Sequence, residues 1–226
     1  MPVPEFTEEA DVVIVGSGPN GATYARLIAD ARPTARVLLV EAGPLVTHPP
    51  GLHMTCVDDP EERERARVAS QGPNQYPYEL SAASGTAHNA PREERDRSLF
   101  TRAGLFPVGS ADGEGLPAAQ AACAVGGMGS LWFGACPRPG DAERIGFLDP
   151  ATLDDALGEA ERLLGVSATQ FAGSAFAAHV ERVLGEALNE GRAPRRRVQP
   201  MPMAVARTPH GVRRYGADVI LGDVPL

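Results

Sequence analysis

The chain has 226 residues and a formal net charge of −8, with 43% hydrophobic and 22% charged residues. That is enough for one large domain or two small ones. The acidic balance argues against nucleic acid and anionic lipid surfaces as partners, because both repel a negatively charged protein.

Three cysteines (Cys56, Cys123, Cys136) without a C-x-x-C pair fit a reduced, cytoplasmic protein better than a disulfide scaffold. The N-terminus MPVPEFTEEA lacks the basic and apolar regions of a signal peptide, and no apolar run nears the roughly 20 residues of a membrane helix. His48, His53 and Cys56 stand close in sequence, but without a fourth ligand or a recognised spacing no metal site is expected. The basic run RAPRRR (192–197) reads as a solvated turn after a helix.

In chain order, DVVIV (11–15) is β-branched and continuously apolar, as in a parallel strand buried on both faces. A helix is expected from Pro19 to about Ala31, with Ala22, Ala25, Leu27 and Ile28 on its apolar side. ARVLLVEAG (35–43) is a second strand, completing a βαβ unit. Residues 44–120 carry Pro, Gly, Asn, Ser and charge runs with little periodicity. They read as a long excursion, with one short exposed helix at Glu61–Ala69. A segment rich in small residues (121–140) follows.

A helix then starts with Asp149 as N-cap and Pro150 at its first position, and Gly165 stops it. Its stripe is Leu153, Ala156, Leu157, Ala160, Leu163 and Leu164. Another helix covers about Ser174–Asn189, with Phe176, Val180, Val183, Leu184, Ala187 and Leu188 inward and His179 as a structural residue. The last stretch, from Val198, reads as a strand, a turn and another strand. The domain expectation is a first βαβ unit over 1–44, a lid or oligomerisation excursion over 45–120, a ligand-contacting segment with two helices over 121–200, and a further domain starting at 201–226.

Gly16, Gly18 and Gly21 form G-x-G-x-x-G between strand and helix, in the stretch Gly16, Ser17, Gly18, Pro19, Asn20, Gly21. The first glycine permits the turn, the second lets a pyrophosphate approach the backbone, and the third lets helix and strand pack closely. The helix N-terminus offers N–H groups and a partial positive charge to phosphate. Glu41, followed by Ala42, ends the second strand 20 residues past Gly21. A carboxylate there accepts hydrogen bonds from ribose hydroxyls and repels a 2′-phosphate, which argues against NADP. The residues themselves leave FAD and NAD both open. The N-terminal position of the element and the small Ala25 one turn after Gly21 lean to FAD.

A second glycine segment, VGGMGSLWFGACPRP (125–139), joins the first. Gly126, Gly127 and Gly129 give a backbone able to lie flat against a ring and offer it N–H groups, while Met128 and Trp132 are polarisable walls. Together with DVVIVGSGPNGATYAR and LLVEAG, this segment resembles the glucose–methanol–choline (GMC) oxidoreductases, in particular their pyranose oxidase and C-glycoside 3-oxidase branch. The resemblance covers the first βαβ unit and residues 100–140 well, and VQPMPMAVAR and YGADVILGD more weakly.

The resemblance implies an α/β fold with a Rossmann-like FAD-binding domain, incomplete in this chain. The G-G-M-x-x-x-W segment, with Phe133, Gly134 and Ala135, would pack on the flavin. Leu131 stands where covalent pyranose oxidases carry a histidine joined to the flavin, so FAD is expected to be non-covalent. The implied reaction is oxidation of a sugar or glycoside secondary alcohol to a ketone, with O2 or another electron acceptor. The catalytic residues are expected in a C-terminal half beyond Leu226. None of the five histidines (His48, His53, His88, His179, His210) sits in a matching context. The expected partners are therefore a complementing C-terminal chain or further copies of this one. The rival readings are an NAD-dependent dehydrogenase and a non-catalytic, flavoprotein-derived binding subunit.

Overall fold

The structure, a computed structural model, describes residues 9–71, 122–209 and 211–224. Most of the excursion, with His88, and His210 lie outside the described residues. The chain divides into two compact units, Met1–Trp132 with Gly216–Leu226, and Phe133–Tyr215.

In the first unit, β1 (Val12–Val15) and β2 (Val37–Val40) pair in parallel, with Val12 opposite Val37 and Val15 opposite Val40. The ladder is extended at one end by Asp11 N–H donating to Arg36 O (2.9 Å), and at the other by Gly16 N–H donating to Val40 O (2.7 Å). Between them runs α1 (Pro19–Ala31), with the bounds its sequence predicts. Proline at the first position forfeits no helical hydrogen bond and presets φ.

Helix α1 buries Gly21, Ala22 and Ala25. Ile28 is half-buried, and Leu27 is 41% exposed, contrary to its expected place on the packed side. The small residues set the packed stripe because they let the helix lie close to β1. The strands are also less covered than their composition suggests. Along β1 the burial alternates, leaving Val13 57% and Val15 85% exposed, so the expectation of burial on both faces fails among the described residues. A parallel strand is covered twice only where helices lie on both sides of its sheet, and α1 lies on one.

Residues 45–71 of the excursion are ordered around the turn Met54–Cys56 and helix α2 (Pro60–Gln71). The helix is longer than expected and not wholly exposed. Ala66 and Ser70 are buried, and the Ser70 carbonyl accepts from Cys123 N–H (3.1 Å).

The second unit holds α3 (Pro150–Leu163), α4 (Ala175–Leu188) and the hairpin of β3 (Val205–Thr208) and β4 (Gly211–Arg214). Asp149 caps α3 by accepting from Thr152 N–H (2.9 Å), as its sequence predicts. Glu161 of α3 accepts two bonds of 2.7 Å from the Arg138 guanidinium, a fork-to-fork pair. Ser174 caps α4.

The apolar stripe predicted to face inward on α4 does not do so. Phe176 is 78% exposed, Val183, Leu184 and Leu188 are each exposed by more than 40%, and no residue of this helix is buried. On α3 only Leu163 is buried, while Ala156 and Ala160 are exposed.

The tail departs from its expectation too. The strand–turn–strand is the β3–β4 hairpin, but ADVIL forms a short helix, α5 (Ala217–Leu221), in the first unit. Its buried face of Ala217, Ile220 and Leu221 packs against α1, and Arg26 donates to the Leu221 carbonyl (3.4 Å).

These burials rank the core. Ile220→Ala is expected to cost about 2–4 kcal/mol, because it removes buried methylenes and leaves a cavity. Phe176→Ser is expected to stay within about 0.5 kcal/mol of the parent, as an exposed substitution does. Urea unfolding followed by circular dichroism measures both, and the reverse ranking would mean that α4 is covered.

Candidate functional site

The two glycine segments predicted from sequence meet in the first unit. The turn out of β1 passes through Gly16 at φ 94°, a left-handed conformation that favours glycine. A Cβ at Gly21 would collide with the Gly16 carbonyl, so the close helix–strand contact requires glycine there. Gly18 is the N-cap of α1, and no side chain caps the helix. The first turn holds no acidic residue. Its N–H groups lack intrahelical acceptors by geometry, and the dipole favours an anion in front of them.

The second segment lies directly on this loop. Gly126 adopts φ 95°, and the following residues form one 3-10 turn, Gly127–Ser130. A Cβ at Gly127 would stand 3.0 Å from the Gly18 Cα, and one at Gly129 would stand 2.9 Å from Pro19 Cγ. A Cβ at Gly126 would stand 2.6 Å from the Gly51 Cα. The segments therefore pack backbone against backbone. The outer side of the loop stays open, since a Cβ built at Gly16 would meet no heavy atom within 4 Å.

Glu41 reaches into the same corner from the end of β2. Its Oε2 accepts from the Ser17 amide (2.9 Å) and the Ser17 hydroxyl (2.6 Å), and its Oε1 accepts from Gly43 N–H (2.9 Å). Burial alone would push this carboxyl up. The Ser17 hydroxyl and the amides of Ser17, Gly43 and Ala42 outweigh burial and hold it below the usual carboxylate range. The nearby Cys123 thiol is pushed up, first by burial and then by the Glu41 charge, so it stays protonated and a poor nucleophile.

Ser17 is buried, Pro19 is half-buried, and Asn20 and Ala42 are exposed. Met128 is 40% exposed and Trp132 is half-buried. Phe133, Gly134 and Ala135 fall in the second unit. There Gly134 O accepts from Ala204 N–H (2.7 Å), Ala135 bridges to Met203, and the Arg214 guanidinium lies 6.0 Å from the Phe133 ring centre.

Sequence reasoning missed three supports. Gly43 must be small because a Cβ there would strike the backbone of Cys123 and Ala124. Gly51 takes the approach of Gly126, a role that its place in PPG hides. His53 is buried, and its Nδ1 accepts from Thr55 N–H (3.2 Å). That bond leaves the proton on Nε2, which donates to the Trp132 carbonyl (2.8 Å). The only hint was His53 itself, which sequence considers as a metal ligand and sets aside. Among the described residues, no group of three or more His, Cys, Asp or Glu could hold a metal ion. No described helix is long and apolar enough to cross a membrane.

The chain is 42% identical over 222 residues to a C-glycoside 3-oxidase of Microbacterium trichothecenolyticum, spanning 97% of this chain and 42% of that protein. It is 40% identical over 220 residues to a C-glycoside 3-oxidase of Arthrobacter globiformis, spanning 97% of this chain and 41% of that protein. With the pyranose 2-oxidase of Tricholoma matsutake the identity is 28% over 239 residues, 98% of this chain and 40% of that protein. No protein-family model matches the chain. By these similarities the chain is homologous to proteins named C-glycoside 3-oxidase and pyranose 2-oxidase. It spans about two fifths of the length of these relatives.

The Glu41 bonds set a pH dependence. A carboxyl depressed in the folded state adds stability that is fully present above its unfolded value of about 4.3 and is lost as pH falls through the lower folded value. Glu41→Gln is therefore expected to be less stable than the parent at neutral pH, with the gap closing below about pH 4. Denaturant midpoints across pH 3–7 test this, and a gap independent of pH would refute it. Gly126→Ala is expected to cost about 1–3 kcal/mol from its positive φ, with a further cost from the approach to Gly51. Thermal melts of that variant measure the sum.

Proposed function

We propose that residues 1–226 form the FAD-binding portion of a flavin-dependent oxidoreductase that oxidises a secondary alcohol of a sugar or glycoside to a ketone. The observation carrying this reading is the packing of the second glycine segment on the first, with Glu41 fixed in the same corner. The relatives named as sugar oxidases support the substrate class.

The residues present fit the cofactor. A phosphate chain needs N–H donors with no side chain in front of them, and the uncapped N-terminus of α1 with the open side of Gly16 supplies that. A ribose needs an acceptor already in position, and Glu41 is held by three hydrogen bonds. Gly126, Gly127, Met128 and Trp132 would wall the ring system. FAD would supply acceptance of the hydride, and with it the two electrons, released by the alcohol carbon. Leu131 carries no nucleophile, so the cofactor would be held without a covalent bond.

Both ring nitrogens of His53 are hydrogen-bonded to Thr55 and Trp132, which suits it to positioning rather than to proton abstraction. The base would come from polypeptide matching the remaining length of the relatives, as a continuation or as a complementing chain. The electron acceptor would be O2 or another oxidant.

The test is reconstitution of the purified chain with FAD. Expected are a yellow complex absorbing near 450 nm, release of the flavin to the supernatant on acid precipitation, and loss of about tenfold or more in affinity on Glu41→Ala. A chain that takes up NAD and no flavin would overturn the reading. Flavin retained in the pellet would overturn the non-covalent attachment.

A further inference from the structure

Ser17 lies between the two halves of this site and touches both. Its hydroxyl is 2.6 Å from Glu41 Oε2 and 3.0 Å from Gly126 N. A hydroxyl has one proton, and an ionised carboxylate can only accept. The Ser17 proton therefore points at Glu41, and the oxygen accepts from the Gly126 amide. The order Gly126 N–H to Ser17 O–H to Glu41 is fixed, and each donor in such a chain strengthens the next. The Ser17 amide also binds the same carboxylate oxygen, at 2.9 Å.

Ser17 is 1% exposed, so water does not replace these bonds. The bond from Gly126 joins positions 109 residues apart in the chain. It holds the residue whose positive φ starts the second glycine segment.

We infer that Ser17 is a positioning residue that couples the ribose-facing carboxylate to the second glycine segment, so that occupancy of the adenosine end is transmitted to the segment bearing Trp132. This rests on the cofactor reading given above. A ribose hydroxyl donating to Glu41 competes for charge on the carboxylate and weakens its hold on the Ser17 proton. That weakening lowers the pull of Ser17 on the Gly126 amide and relaxes the turn that follows. Any dinucleotide carrying an unmodified ADP ribose would work the relay. The adenosine half would thereby adjust the ring-binding half before the ring is seated.

The chain has one tryptophan, Trp132, so its emission reports on the second segment alone. The probe is ADP, which carries adenine and the ribose but lacks the flavin ring that would meet the tryptophan wall. Binding is measured by calorimetry and emission is followed in parallel on the full chain. The wild type is expected to bind ADP with a change in Trp132 emission that saturates with binding. Ser17→Ala is expected to bind ADP with loss of the emission change at saturation, because the link from Glu41 to the Gly126 amide is gone.

A second arm needs no variant. 2′,3′-Dideoxy-ADP, which lacks both hydroxyls that would reach Glu41, is expected to bind the wild type without shifting the emission. A full emission change in Ser17→Ala, an equal change with the dideoxy compound, or no change with ADP in the wild type would each overturn the coupling while leaving the cofactor reading intact. Failure of the wild type to bind ADP at all would overturn that reading, and the coupling with it.

Discussion

Everything near the site depends on two stretches of bare backbone lying against each other. Side chains normally keep segments apart by the width of at least one methyl group. At Gly18 and Gly127 that spacer is absent, and a Cβ at Gly127 would already crowd the facing Cα at 3.0 Å. The same holds where Gly126 meets Gly51 and where Gly43 meets Cys123 and Ala124. The cost is conformational, because each glycine loses more freedom on folding than any other residue. Polar groups brought that close must also find partners, and they do. Val125 N–H donates to Pro44 O (3.0 Å), and Gly126 N–H donates to the Ser17 hydroxyl.

From this contact follows the role of the charged group beside it. A partly buried carboxylate with few donors would be pushed toward its neutral form. Glu41 instead has three donors at 2.6–2.9 Å, so it stays ionised and keeps one orientation. A group fixed before a ligand arrives does not have to be ordered on binding. The site is thus built from conformational constraint at the glycines and electrostatic constraint at Glu41, and Ser17 belongs to both.

Much of this was legible in the sequence. The βαβ unit read correctly because its signals are local: a β-branched run, a proline at the first helical position and glycines at fixed spacing all act within a few residues. The cap Asp149 was legible for the same reason. What failed depends on distant neighbours. Whether Leu27, Val13 or Phe176 is covered depends on which element lies opposite, and periodicity supplies a stripe without naming its partner. ADVIL lies in a stretch read only as strand, turn and strand, because four apolar residues around Asp218 fit a short strand as well as one helical turn. The packing of Ala217 and Ile220 against α1 decides for the helix. The buried histidine was hidden because its partner, the Trp132 carbonyl, is backbone and leaves no trace in composition.

The exposed apolar residues have a physical consequence. Val13 and Val15 on β1 and Val40 on β2 present apolar surface to solvent, and α4 does the same with Phe176, Leu184 and Leu188. Such surface contributes nothing to folding by burial until something covers it. Among the described residues of the first unit, the buried apolar side chains gather between α1 and α5, around Ala25 and Ile220, and beside the glycine corner, at Met54, Ala66, Cys123 and Ala124. That concentration ties the site to the fold. Loosening the glycine contact removes both the geometry that would receive a cofactor and a large share of what orders the unit. A ligand bound across the corner would stabilise the folded chain in proportion to its occupancy, because the elements it would bridge are the ones holding the unit together.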